Sequence, residues 1–147
     1  MLTKTPSNKR DFNIWLWLTP LLLALPAIQP FLRNELTVGY DNVLHLWRSL
    51  EADQMLTHGI LYTRWFPNMV FGLGYPMLLF NPPLSALLAA LFHRLGLDWP
   101  LAINGVFAVG TLLSGWTTWL WVRDLRRTAP RVEREIAALV AGLVMVT

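Results

Sequence analysis

No cysteine occurs in the chain. That excludes a disulfide framework, a thiolate metal site and a cysteine nucleophile. Charge is scarce as well: Asp, Glu, Lys and Arg make up 14% of the residues, against roughly a quarter in ordinary globular chains. No Walker loop, Rossmann glycine pattern, HExxH or GxSxG is present, so the usual marks of nucleotide binding, zinc proteolysis and serine hydrolysis are missing. What fills the 147 residues is apolar, with 54% hydrophobic side chains and a mean hydropathy of +0.42. Most of the eight Trp sit at the ends of apolar runs, where amphipathic rings favour the membrane–water interface. The net charge of +3 is modest, and the basic residues cluster near apolar ends. This suits lipid headgroups, not nucleic acid.

The pattern predicts an all-α membrane protein with three transmembrane helices and the start of a fourth. Residues 1–13, with Lys4, Lys9 and Arg10, form a polar and cytoplasmic N-terminus. Residues 14–32 form the first apolar run, close to the roughly 20 residues that cross a hydrocarbon core. A signal peptide is the alternative, but the run is too long for one and no clean cleavage site follows. Pro20, Pro26 and Pro30 interrupt it, which spanning helices tolerate. Residues 33–81 form an outer loop. Within it, 41–57 reads as an amphipathic helix in the interface plane: Val43, Leu46, Trp47 and Leu50 make one stripe, with Asp41, His45, Arg48 and Ala52 opposite. Gly59 is its expected stop. Residues 58–80 have no clean period, and Gly, Pro and aromatic residues predict an ordered loop against the membrane. Asn81-Pro82-Pro83 reads as a helix start, giving a second transmembrane helix at 82–95 with Gly96 as its stop. That segment spans only about 21 Å, so the crossing must begin near 76 or the bilayer must thin. A third span covers 99–122, a charged connector 123–135, and 136–147 starts a fourth helix, so the sequence reads as the N-terminal part of a larger protein. Gly105, Gly110 and Gly115 lie five apart and make no GxxxG stripe. With the N-terminus inside and three spans, the connector and its five Arg fall outside, against the positive-inside rule.

Chemistry concentrates in the outer loop. Asp41 can act as a general base or bind a divalent cation through oxygen; it can equally cap the helix it opens. His45 lies one turn on, on the same face, so the pair can share a proton or a metal, or form only a surface ion pair. Arg48 extends that face and can meet a phosphate, or snorkel to headgroups. Arg64, beside Trp65, carries the same two readings, with stacking on the ring as a third. Glu51 and Asp53 fall off the face and are expected to be solvated. Apart from His93 and Arg94 at the end of the second, the spans carry no ionisable residues, which argues against a transporter.

The order of elements carries a resemblance. The succession GYDNVLHLWR, then HGILYTRWFPNMVFGLGYPMLLFNPPLSALLAALFHRLGL, resembles bacterial multi-spanning proteins described as 6-pyruvoyl-tetrahydropterin-synthase-related membrane proteins. These in turn look like membrane-embedded C-type (GT-C fold) glycosyltransferases. The matching elements are the Asp41–His45 pair, the run Gly59, Tyr62, Arg64, Trp65, the turn Gly72, Gly74, Tyr75, Pro76, and Asn-Pro-Pro at 81–83. The resemblance implies a multi-pass protein of the bacterial inner membrane that takes a sugar from a polyprenyl-phosphate donor at the outer face. By position Asp41 matches the family's acidic residue, as base or as contact for a divalent cation such as Mg or Mn, with His45 beside it. Gly72, Gly74, Tyr75 and Pro76 would shape the loop. The alternative is a non-catalytic membrane scaffold or lipid-handling protein.

Overall fold

The computed structural model describes residues 14–36, 39 and 41–146. The N-terminal segment 1–13 and its expected cytoplasmic placement lie outside the described residues. The described chain is all-α: α1 (Ile14–Ile28) with a 3-10 turn (Gln29–Leu32), α2 (Asn42–Thr57), α3 (Met77–Phe80), α4 (Leu84–Arg94), α5 (Trp99–Leu125) and α6 (Arg131–Val146). No strand occurs among the described residues, and Phe66 and Tyr75 pair as an isolated antiparallel bridge.

The side chains are distributed in a way that a water-soluble bundle avoids. The buried positions are mostly small, including Ala24, Ala52, Ala86, Ala89, Ala90, Ala102 and Ala138. Large aliphatics face outward on every long helix except α2's buried side: Leu22 and Leu25, Leu84 and Leu91, Val109 and Leu113. On α6 the division is regular. Ala138 and Gly142 are buried, while Val132, Ile136, Val140 and Val144 are exposed. A Cβ on Gly142 would sit 2.8 Å from the Gly115 carbonyl oxygen, and one on Gly115 would sit 3.1 Å from that of Gly142. The backbones of α5 and α6 therefore touch, as small residues allow in helix pairs that gain nothing by burying Leu. Among the described residues, α5 alone is long and apolar enough to cross a membrane. Its 27 residues rise about 40 Å.

α5 is the axis. α1 runs antiparallel to it: Trp17 meets Trp116 and Trp119 edge-on near the far end, and Phe31 stacks on Phe107 near the start. The chain leaving α1 is pinned to the first turns of α5. Asn34 Nδ2 donates to Asp98 at 2.9 Å, and the fully buried Asn104 donates to the carbonyls of Arg33 (3.0 Å) and Glu35 (2.8 Å). The excursion from Asn34 to Asp98 therefore starts and finishes at one end of α5. The expectation that 82–95 crosses as a second span is not confirmed. α4 has 11 residues, about 17 Å, and both of its flanks are tied to α2. Arg48 Nη2 donates to Pro82 O at 3.4 Å, and Arg94 Nη2 donates to Asp53 O and Thr57 Oγ1, each at 2.9 Å.

Three local readings change too. Asn81 does not cap α4. Pro83 holds that position, and Asn81 closes α3 by donating back to Met77 O at 3.2 Å. Extended backbone at Asn81 (φ −122°, ψ 137°) separates α3 from α4, so 76–80 does not lengthen the second helix. Glu51 is not solvated but 2% exposed, and Asp53 is ion-paired with Arg94. The expected stops hold: Gly59 and Gly96 follow α2 and α4 with φ of 75° and 103°.

Candidate functional site

The sequence stripe Asp41, His45, Arg48, Ala52 is the face that α2 turns toward the protein. Arg48, Ser49, Glu51 and Ala52 are buried, while Val43 and Trp47 of the opposite stripe are exposed and Leu46 and Leu50 are half-buried. Exposure grades along this face. Asp41 is exposed at the helix start, His45 is half-buried one turn in, and Arg48 is 6% exposed beneath it. His45, Arg48 and Ser49 line one wall of a cavity. Ser85, Ala86 and Ala89 of α4 and Ile103, Val106 and Phe107 of α5 make the others. Its volume is ≈ 10 Å³, on the order of one water molecule.

Each side chain has a definite setting. Asp41 occupies the N-cap position of α2, but its carboxylate makes no capping hydrogen bond. His45 packs edge-on against Phe107, with ring centroids 5.3 Å apart. Burial pushes its pKa below the ordinary histidine value. The Arg48 guanidinium adds to that, and the Asp41 carboxylate opposes it. Burial also lowers the Arg48 pKa. Arg48 makes the long contact to Pro82 O, while its buried Nε has no hydrogen-bond partner. A guanidinium taken out of water with an N–H unpaired is costly. An anion reaching it would relieve that cost.

No family model, curated protein or solved structure matches the chain.

The remaining candidates separate from this cluster. Arg64 is exposed, lines no part of the cavity, and makes no hydrogen bond, ion pair or stacking contact among the described residues. Gly72, Gly74, Tyr75 and Pro76 belong to a loop closed by two 2.9 Å hydrogen bonds between the backbones of Phe66 and Tyr75. Gly72 and Gly74 have φ of 86° and 80°, and a Cβ on Gly74 would strike the Trp65 indole. The loop-shaping role thus has a physical basis at both glycines. Asn68 fastens the loop to α2, donating to Gln54 Oε1 at 2.7 Å and hydrogen-bonding Glu51.

Among the described residues no three His, Cys, Asp or Glu converge. Asp41 and His45 supply two donors, and Arg48 places a like charge next to them; a Mg ion held here would take its remaining ligands from water or phosphate.

Sequence reasoning missed two polar centres. Asn104 carried no motif, yet it fastens the loop to α5. At the other end of α5, Arg123 lies over the rings of Trp17 and Trp119 at 5.3 and 5.0 Å, and donates to Glu135 at 3.0 Å. The signal there was a charge placed directly after a Trp-rich helix end.

Proposed function

We propose that this chain forms a multi-pass membrane unit of the C-type glycosyltransferase kind, and that it takes a sugar from a polyprenyl-phosphate donor. The observation that carries this reading is the graded face of α2, with an exposed carboxylate above a half-buried imidazole and a buried, incompletely paired guanidinium. In the proposed step Asp41 accepts the proton of the acceptor hydroxyl as its oxygen attacks the anomeric carbon. The bond from that carbon to the phosphate oxygen breaks, and polyprenyl phosphate leaves. Arg48 and His45 stand where its charge is received. The cavity has room for about one water, so a phosphate meets this face at its mouth or parts α2 from α4 at Pro82.

α1, α5 and α6 would be the crossings, with α2 to α4 resting on one membrane face. Supporting this, α5 has no charged side chain from 105 to 122, about 27 Å, between the Asn104 anchor and Arg123. The bacterial inner membrane as location comes from the resemblance.

The test is transfer activity of the full-length protein in membranes. Asp41→Asn should abolish transfer and leave folding intact, because the carboxylate makes no cap bond. Undiminished transfer by Asp41→Asn would sink the reading. One observation favours the alternative, a non-catalytic scaffold or lipid-handling protein: the cavity is smaller than any sugar. In that case Asp41→Asn is silent in every lipid-binding and growth readout, while Arg48→Met alters stability alone.

A further inference from the structure

The loop between Phe66 and Tyr75 ends in a tip whose backbone is bent against its own residue types. Val70 and Phe71 have φ of 54° and 56°, the left-handed region that β-branched and bulky side chains disfavour. The base is firm. Phe66 is fully buried with Met77 and Leu78, Met69 packs against them, and Gly74 N–H donates to Met69 O at 2.9 Å and Leu73 N–H to Val70 O at 3.1 Å. What this frame holds out is apolar. Phe71 is 104% exposed and Leu73 78%, with Val70 also exposed, and Leu61, Tyr62 and Trp65, just before the loop in sequence, are exposed as well. No polar side chain lies between Val70 and Gly74.

We infer that Val70, Phe71 and Leu73 form a wedge that enters the headgroup–acyl boundary of the bilayer, with Arg64 on an anionic headgroup. This rests on the membrane reading above and specifies which loop meets the surface. Charge selects lipid over a protein partner. From Gln54 to Leu97 the sequence has no Asp or Glu. Of its two Arg, Arg94 is committed to Asp53, while Arg64 is exposed and makes no ion pair among the described residues. An exposed apolar tip, with exposed aromatic side chains and an exposed Arg close by in sequence, combines the groups that suit an anionic leaflet. Backbone groups at a loop tip cannot be left dry, so entry is shallow.

The absence of cysteine gives a silent background for the test. Full chain is reconstituted in phosphatidylcholine vesicles with and without phosphatidylglycerol, carrying a fluorophore at Phe71→Cys, Leu73→Cys, Thr57→Cys or Leu113→Cys. Quenching by lipids bearing a shallow nitroxide should be several-fold stronger at 71 and 73 than at 57, and aqueous iodide should show the reverse. Adding Arg64→Gln should reduce nitroxide quenching at 71 only when phosphatidylglycerol is present. If 113 is quenched by lipid while 71 and 73 behave like 57, the wedge is wrong and the spanning reading stands. If 113 stays wet while 71 is quenched, the wedge stands and the span through α5 falls. A tip shielded from both quenchers in native membranes docks on protein, which overturns the proposal. Because Phe71 and Leu73 point outward, replacing them removes no internal contact.

Discussion

Glu51 and His45 are perturbed in opposite ways by the same cause. Both lose water, so the charged form of each is disfavoured. For Glu51 burial raises the pKa, and hydrogen bonds from Asn68 partly offset it. The sign for stability follows. As pH rises through the ordinary carboxyl value the unfolded chain ionises first, so the folded state holds the extra proton and stability falls until Glu51 itself ionises. Glu51→Gln should remove that decline and raise stability at neutral pH, since it removes the charge whose burial is disfavoured. Thermal unfolding in detergent at acid and neutral pH measures it; equal pH dependence in both proteins would contradict it. For His45 the neighbours can be separated. Arg48→Met should raise its pKa and Asp41→Asn should lower it further, because the first removes a like charge and the second an opposite one; proton NMR of the ring reads both. The spacing 41, 45, 48 was legible in the sequence as one helical face. Which way that face turns was not. On a surface helix next to lipid the apolar stripe can be the outer one, so hydrophobicity does not say where the protein lies. Glu51 illustrates the cost of assuming it does.

At the level of elements, the contact between α5 and α6 depends on two missing side chains. Gly142→Leu places a branched group where the Gly115 carbonyl oxygen and Trp119 already lie. Overpacking of this kind costs about 1–3 kcal/mol, and α6 must tilt away or shift. The expected result is a lower unfolding temperature and, with it, loss of the Arg123–Glu135 contact, since Glu135 is held by the same helix two turns earlier. Ile136→Leu, on the exposed side of α6, serves as the control and should be neutral. Helix ends with glycine stops were readable from sequence because their chemistry is local. The pairing of Gly115 with Gly142 was not, since it joins two helices and neither carries a four-residue glycine repeat. The break at Asn81 was hidden for a related reason. Asn-Pro-Pro fits a helix start equally well whether Asn caps the helix that follows or closes the one before.

Across the whole molecule, sequence left a contradiction for which the fold suggests a testable way out. Three crossings ahead of the 123–135 connector put its five Arg opposite the basic N-terminus. Arg33, Asn34 and Glu35 lie beside Asp98 and Asn104, so the chain between them leaves and rejoins the same end of α5. Arg123 then shares an end with Trp17, close to the start of α1. If α1 and α5 cross, the basic residues at 4, 9 and 10 and the Arg-rich connector fall on one side, as the positive-inside rule asks, and Asp41 falls on the other. Single cysteines at Thr57 and Thr128, both exposed, distinguish the two topologies. In right-side-out vesicles a membrane-impermeant maleimide should label Thr57→Cys at once and Thr128→Cys only after the membrane is permeabilised. Immediate labelling of both would restore a crossing by 82–95 and place the connector outside. Labelling of 128 alone would invert the protein, put Asp41 in the cytoplasm, and leave an outer-face sugar donor with nothing to meet.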